Sequence, residues 1–209
     1  MKPLAQSFFN RPTLEVAREL LGCELWVRQG NAILGGRLVE VEAYIGEEDP
    51  SCHAHRGRTR RTETMYGPPG MAFVYFTYGN HWMLNFVTER KDFPAAVLIR
   101  GVEPLQGIAT MRKRRMVERD YDLTNGPGKI THAFGITGRD NGISLRGPRL
   151  AVTRGSLTPG EQVAISGRIG VGEGHERPWR FYYENNPWVS KYRFGTKSYL
   201  KTLQSKRAA

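Results

Sequence analysis

Alternation of apolar and polar residues is the dominant pattern along this chain, and Gly, Pro and Asn separate the alternating runs. The alternation predicts β-strands at 21–27, 33–45, 72–78, 81–89, 95–102, 150–154, 162–171 and 180–183. Helical spacing with capping residues predicts helices at 12–21, 104–118 and 129–134. Because no internal repeat or long low-complexity linker divides the chain, these elements predict a single β-rich α+β domain over residues 1–209.

Two turn sequences predict β-hairpins. Gln29-Gly30-Asn31 separates the first two predicted strands, and Gly79-Asn80 is a two-residue turn signal between the next two. The second turn places Tyr78 beside an exposed hairpin tip. Between the hairpins, residues 46–70 form a long polar segment rich in Gly, Arg, Pro and His, and a loop of that length indicates a functional role.

One predicted strand carries two carboxylates and a tyrosine on a single face. Because successive side chains of a strand point in opposite directions, Glu40, Glu42 and Tyr44 share one face. The opposite face is apolar and holds Val39, Val41, Ala43 and Ile45. The polar face is either solvated or part of a site. Two carboxylates two residues apart also occur in retaining glycosidases, but this spacing alone is weak evidence.

Other residues could in principle form a metal site or a hydrophobic core. Cys52, His53 and His55 offer zinc-binding atoms, yet no second Cys/His pair follows at a usable spacing, and the zinc-deaminase signature is absent. Residues 126–129, Gly-Pro-Gly-Lys, lack the first glycine of a P-loop. Several aromatic side chains surround the second hairpin. Hydrophobic packing is the preferred interpretation for Phe73, Phe76 and Trp82.

The charge of the chain indicates the kind of partner. The sequence contains 31 Lys and Arg against 20 Asp and Glu, which gives a formal net charge of +11. The positive residues cluster in a loop (Arg56, Arg58, Arg60 and Arg61), in the segment 112–115 and in the C-terminal tail 191–209. Such clusters favour nucleic-acid phosphates as partners, with a solvated basic surface as the alternative.

The number of cysteines and the length of the apolar runs indicate the cellular environment of the protein. The two cysteines, Cys23 and Cys52, are too few for a disulfide scaffold, which favours a reducing environment. No apolar run approaches the roughly 20 residues of a membrane span. We therefore expect a soluble intracellular protein that is not associated with a membrane.

A series of sequence blocks resembles the methylpurine (alkyladenine) DNA glycosylase family. The first is Val-Glu-Val-Glu-Ala-Tyr at 39–44, followed by Ile-Gly-Glu-Glu-Asp at 45–49 and by His53. Further blocks follow in the family's order, at 75–79, Asn85, 98–100, 103–105, 125–129, 168–171 and 187–190. An ordered set of this kind is more specific than any single motif, and it spans most of the chain up to Ser190.

The resemblance implies a fold, a reaction and a role for individual residues. Family members resemble an open antiparallel barrel with a protruding hairpin that inserts into DNA. By the resemblance, Glu42 is the general base that activates water, and Arg100 positions that water. The residues that match those enclosing a flipped base are Tyr44, His53 and Tyr75. Tyr78 matches the wedge that fills the vacated place in the DNA, and Asn85 matches the residue that screens purines.

The resemblance thus predicts a monomeric enzyme without metal or cofactor that removes alkylated or deaminated purines from double-stranded DNA. Candidate phosphate contacts are Arg56, Arg58 and Lys129. Two alternatives from other classes remain open. One is a nucleic-acid-binding module without catalysis. The other is a metal-dependent nuclease or deaminase built on His53, His55 and the acidic segment 47–49.

Overall fold

A computed structural model describes residues 2–77, 79–156 and 160–190. In these residues the chain forms eight β-strands, which are β1 (Glu24–Gln29), β2 (Ala32–Ile45), β3 (Ala72–Thr77), β4 (His81–Val87), β5 (Ala95–Gln106), β6 (Leu150–Thr153), β7 (Val163–Ser166) and β8 (Arg180–Tyr183). The α-helices of the same residues are α1 (Gln6–Phe9), α2 (Thr13–Leu20), α3 (Ile108–Arg115) and α4 (Pro127–Phe134). Four short 3₁₀ helices lie at His53–Arg56, Glu63–Tyr66, Asp120–Asp122 and Gly138–Asp140.

The strands form one antiparallel sheet organised around β2. The order β3-β4-β5-β2-β1-β6 describes most of the sheet, and β7 pairs with β8, which itself pairs with β2. β5 pairs with β2 along one edge, while β1 and β8 share the other edge. Register shifts between Gly35 and Gly36 and around Glu40 interrupt the β2–β5 ladder. Such irregularities increase local twist, and the sheet curls into a half-barrel. The predicted β-rich α+β class is confirmed.

The main core lies between the sheet and helices α2 and α4. Val16 and Leu20 of α2 and Ile130 and Phe134 of α4 are fully buried, which follows from their helical spacing. A second, smaller cluster, containing Cys52, Ala54, Met65, Tyr66 and Phe73, packs the segment 52–66 against β3 and β4. The polar segment predicted as a loop thus contains two 3₁₀ helices whose apolar residues attach it to the sheet. Both cysteines are buried free thiols.

The helix predicted over 104–118 is wrong at both ends. Pro104 pairs with Gly36 as part of β5, and the strand continues to Gln106. Pro104 falls next to an irregularity of the ladder, where proline is tolerated. Gly107 then adopts a φ of 78°, and α3 begins at Ile108. It ends at Arg115, because Met116 is left-handed with a φ of 50°.

The strand predicted over 162–171 is shorter than expected. β7 contains only Val163–Ser166, and the chain leaves the sheet at Gly167. Arg168 is then buried against Asp49 instead of pairing with a neighbouring strand. The residues from Ile169 to Glu173 consequently become part of a cavity wall. This loop could not be distinguished from a strand by its alternation alone.

The described residues contain no helix with both the length and the apolar character needed to cross a bilayer. The predicted basic tail 191–209 and Tyr78 lie outside the described residues. The pairing of Thr77 with His81 agrees with the second predicted hairpin, whose insertion into DNA stays a prediction.

Candidate active site

A cavity of about 530 Å³ opens between strands β2 to β5 and two loops. Strand residues Tyr44, Tyr75, Asn85 and Arg100 line one part, and His53 of the first 3₁₀ helix lines another. The segment from Ile169 to Glu173 forms part of the wall after β7. A cavity of this volume is typical of small-molecule sites and is large enough for a nucleobase.

Glu42 lies behind this wall and is hydrogen-bonded to three cavity-lining residues. Its Oε2 accepts hydrogen bonds from Tyr44 Oη at 2.9 Å and from Arg100 Nη1 at 3.2 Å. Its Oε1 accepts one from the backbone N–H of Ile169 at 2.6 Å. The Glu42 side chain is 0% exposed. Because a carboxylate oxygen has two lone pairs, Oε1 retains a position for a further donor such as water.

Burial governs the acid-base behaviour of Glu42. Loss of hydration raises the pKa of its carboxyl group, while the Arg100 charge and the Ile169 N–H oppose that increase. The neighbouring Glu40 charge adds to the increase. A carboxylate with a raised pKa is a stronger base than an exposed one, and this is the property that a general base requires.

Glu40 is the second carboxylate of this strand face, and it is also fully buried. Arg100 Nε donates to Glu40 Oε1 at 3.2 Å, so one guanidinium group bridges both glutamates. Arg180 Nε donates to the same oxygen at 2.7 Å. The interpretation of this strand face as a solvated surface is therefore wrong. Arg180 of β8 and the segment ending at Ser190 enclose Glu40, which the local sequence does not indicate.

Aromatic rings form the walls of the cavity. The ring centroids of His53 and Tyr75 are 4.1 Å apart, and Phe73 lies 5.2 Å from Tyr75. Burial, together with the Arg61 charge, lowers the pKa of His53 to about 4, which keeps the imidazole neutral at pH 7. His53 Nε2 is buried and has no hydrogen-bond partner among the described residues. It is therefore available to a ligand in the cavity.

Asn85 is held in the cavity wall by its own hydrogen bond. The side chain is 4% exposed, and Nδ2 donates to the backbone carbonyl of Phe73 at 3.2 Å. This bond fixes the orientation of the amide. Of the three aromatic side chains assigned to packing, Phe73 is buried and Trp82 packs against the core. Phe76 is 44% exposed, and its ring centroid lies 4.9 Å from that of Trp82, so Phe76 packs against Trp82 but lies outside the core.

The candidate phosphate contacts lie apart from the cavity lining. Arg58 is exposed and pairs with Glu63 at 2.6 Å and with Asp92 at 3.0 Å. Lys129 donates to Asn125 Oδ1 at 2.6 Å. Arg56 is exposed at the end of the first 3₁₀ helix. Their roles as phosphate contacts stay predictions.

The structure also pairs two residues that the sequence did not connect. Asp49 and Arg168 form a pair with 0% exposure on both side chains, with Arg168 Nη1 at 2.5 Å from Asp49 Oδ2. The Arg168 guanidinium lies 4.7 Å from the centre of the Tyr44 ring. Asp49 and Arg168 are 119 residues apart, so no local pattern could have paired them.

The same pair bears on the predicted metal alternative. Asp49 is hydrogen-bonded to Arg168, and His53 stacks with Tyr75. Within residues 2–77, 79–156 and 160–190, no group of three or more His, Cys, Asp or Glu side chains is arranged to hold a metal ion. The residues proposed for a metal-dependent nuclease therefore do not converge.

The curled sheet carries an aromatic cavity with the buried Glu42–Arg100 pair at its wall, an arrangement suited to a planar ring. Comparison with known proteins gives the family. The description of the matching family is Methylpurine-DNA glycosylase (MPG), and the match covers residues 7–187. This chain belongs to the methylpurine-DNA glycosylase family, and it is accordingly an N-glycosylase, a hydrolase that acts on DNA.

Individual relatives agree with this assignment. The chain is 47% identical over 201 residues to a protein of Salinibacter ruber, covering 91% of this chain and 97% of the relative. It is 43% identical over 197 residues to a protein of Chlorobaculum parvum, covering 93% and 94% of the two chains. Both relatives carry the name "Putative 3-methyladenine DNA glycosylase".

Proposed function

We propose that this glycosylase extrudes a damaged purine from duplex DNA into the aromatic cavity and hydrolyses its bond to deoxyribose. The observation that carries the proposal is the buried Glu42–Arg100 pair, in which Arg100 lines the cavity and Glu42 lies directly behind its wall. The substrates are alkylated and deaminated purines, of the class of 3-methyladenine, 7-methylguanine, hypoxanthine and ethenoadenine. Removal of such a base is the first step of base excision repair.

Base extrusion follows from the depth of the site. A base that is stacked inside a duplex cannot enter the cavity at Tyr44 and Asn85, so the nucleotide must rotate out of the helix. Extrusion costs a few kcal/mol, and the cost is smaller for damaged or mispaired bases. Tyr78, as the residue matching the family's wedge, is proposed to fill the vacated place. The protein acts on DNA as a monomer in this proposal.

Glu42 takes a proton from a water molecule, and that water attacks the anomeric carbon of the sugar as the bond to the base breaks. Arg100 orients the water and the Glu42 carboxylate, to which it donates a hydrogen bond. A carboxylate close to the sugar also stabilises the positive charge that develops there. Because water is the nucleophile, the enzyme forms no covalent bond to the DNA, and no lyase step follows.

The cavity walls suit a planar base that can carry positive charge. Alkylation at a ring nitrogen makes a purine cationic, and a cation against an aromatic face gains about 0.5 to 2 kcal/mol. Tyr44 and Tyr75 offer such faces, and the neutral His53 does not repel the cation. The same positive charge makes the base a good leaving group. A second catalytic acid is therefore not required for the cationic substrates.

Asn85 is expected to exclude guanine, because its amide would crowd the exocyclic 2-amino group that adenine and hypoxanthine lack. The Asn85→Ala variant is expected to raise excision of undamaged guanine relative to hypoxanthine. The measurement is base release from two duplexes that differ only in the central purine, and hypoxanthine release is the internal control. An unchanged ratio would contradict the assignment.

Affinity for undamaged duplex is expected to fall steeply with salt, because the basic loop 56–61 displaces counterions from phosphates. The slope of log K against log [salt] is about −0.9 for each contact, so Arg56→Ala is expected to reduce its magnitude by roughly one unit. Arg28→Ala is the matched control, because Arg28 is exposed beside a different surface depression. Equal slopes for Arg56→Ala and the wild-type protein would remove Arg56 from the DNA interface.

The proposed substrate class is tested with a set of defined duplexes, each of which contains one lesion. Wild-type protein is expected to release free base from duplexes with alkylated or deaminated purines much faster than from the undamaged duplex. Equal release from damaged and undamaged duplexes would contradict the proposal. Binding without any release would instead support the non-catalytic alternative.

A further inference from the structure

Glu40 accepts four hydrogen bonds in the described part of the chain. Arg100 Nε, Arg180 Nε and Ser190 Oγ donate to its Oε1, at 3.2, 2.7 and 2.7 Å. The backbone N–H of Ser190 donates to its Oε2 at 2.6 Å. These groups come from three separate parts of the chain. All of them are donors, which is the environment of a carboxylate and not of a neutral acid.

The backbone around this cluster is shaped to bring Ser190 to Glu40. A Cβ atom on Gly101 would lie 2.7 Å from the Trp188 carbonyl oxygen and 2.9 Å from Glu40 Cβ. Glycine at this position therefore allows the segment 188–190 to lie against β5 and β2. Strand β2 has a paired neighbour on each side at this point, because Glu40 pairs with Gly101 on β5 and with Tyr182 on β8.

We propose that Glu40 is a positioning residue for hydrolysis, which together with Arg180 and Ser190 holds the Arg100 guanidinium against Glu42. A guanidinium group is planar, so its orientation is fixed when Nε is bound to Glu40 and Nη1 to Glu42. Arg100 lines the cavity, whereas Glu40 does not. Glu40 therefore acts through Arg100 and not on the substrate. The inference rests on the proposed function, because it takes Glu42 as the base.

The charges of the cluster determine how its members affect Glu42. Glu40 and Glu42 are negative, and Arg100 and Arg180 are positive, so the four charges sum to zero. Arg180 lies opposite Glu42 in the β2–β8 ladder. The other groups that face Glu42 are Tyr44 on the same strand and Arg168 after β7, and Tyr75 on β3 interacts with Tyr44. These remain the same in every variant considered below.

Two substitutions in one ion pair are therefore expected to shift the pH profile in opposite directions. Glu40→Gln removes a negative charge near Glu42, which favours the Glu42 carboxylate and moves the acidic limb of the rate profile to lower pH. Arg180→Gln removes a positive charge, which disfavours the carboxylate and moves that limb to higher pH. Loss of a purely structural contact would not produce shifts of opposite sign.

The experiment measures single-turnover base release against pH, on a duplex with one hypoxanthine. Glu40→Gln is expected to be roughly 10 to 100 times slower than wild type at its optimum, because the Arg100 geometry relaxes. Asp140→Asn is the matched control. Asp140 is also buried and paired with an arginine, Arg149, but it does not line the cavity. In the control, the acidic limb of the rate profile is expected to stay at its wild-type pH. The proposal would be overturned if the acidic limb of Glu40→Gln and Arg180→Gln did not move, or moved in the same direction.

Ser190→Ala covers the case in which Glu40→Gln does not fold. This variant removes one donor to Glu40 and keeps all four charges, so the rate is expected to fall roughly fivefold, as for one lost hydrogen bond, without a shift of the limb. A wild-type rate would overturn the proposal. Failure of the proposed function is distinguishable, because Glu42→Gln would then retain activity. If Glu42→Gln is inactive while Glu40→Gln behaves as wild type, only the role of Glu40 is wrong.

Discussion

Glu42→Gln is expected to lower the single-turnover rate of base release by a factor of roughly 100 or more. The substitution keeps the shape of the side chain and removes its ability to accept a proton from water. Affinity for damaged DNA is expected to be retained, because Glu42 lies behind the cavity lining. The measurement is base release with enzyme in excess, at a pH above the acidic limb.

Two controls separate loss of the base from loss of the fold. Glu173→Gln changes an exposed carboxylate at the wall of the same cavity and is expected to keep a near-wild-type rate. Burial raises the pKa of Glu42, which means that the folded state disfavours its ionised form. Glu42→Gln is therefore expected to unfold at no lower a temperature than the wild type at pH 7. A fully active Glu42→Gln variant would show that another group activates the water.

Asp49→Ala is expected to be the most destabilising of these substitutions, at about 3 to 5 kcal/mol of the free energy of unfolding. The reason is that it leaves the fully buried Arg168 guanidinium without its anion. Asp49 also accepts hydrogen bonds from the backbone N–H groups of Ile45 and Ser51. Because Arg168 immediately precedes Ile169, the change is expected to displace the N–H that donates to Glu42. The measurement is equilibrium unfolding in urea.

The matched control is an ion pair of the same type on the surface. Glu63→Ala breaks the pair with Arg58, whose side chain is 46% exposed, and pairs of this kind contribute about 0 to 1 kcal/mol. A similar loss of stability for both variants would contradict the view that Asp49 and Arg168 hold together the two loops beside the cavity.

The sequence predicted the sheet well because alternation is a local property. Strand β2, helix α2 and strand β8 appear close to their predicted bounds, and Arg100 donates a hydrogen bond to Glu42. The errors lie where neighbours from distant parts of the chain decide the structure. Pro104 reads as a helix start, yet pairing with β2 retains it in a strand.

The burial of Glu40 shows the same limit at the site. Its strand face has the composition of a solvated surface, and contacts with Arg180 of β8 and with the segment ending at Ser190 make it an interior. The pairing of Asp49 with Arg168 is likewise a product of the fold. The sequence blocks at 168–171 and 187–190 indicated that these segments matter but did not indicate which residues they contact.

The most direct test of the central claim, that this glycosylase hydrolyses the bond to a damaged purine with a Glu42-activated water, is product analysis on a duplex with a single hypoxanthine. The reaction is run in the presence of a chelator, and free base and strand breaks are measured separately. The account predicts that the wild-type protein releases free hypoxanthine and leaves a DNA strand that breaks only after alkali is added. In Glu42→Gln, both the free hypoxanthine and the alkali-dependent strand breaks are expected to be lost. Strand cleavage without alkali, or release that the chelator abolishes, would contradict it.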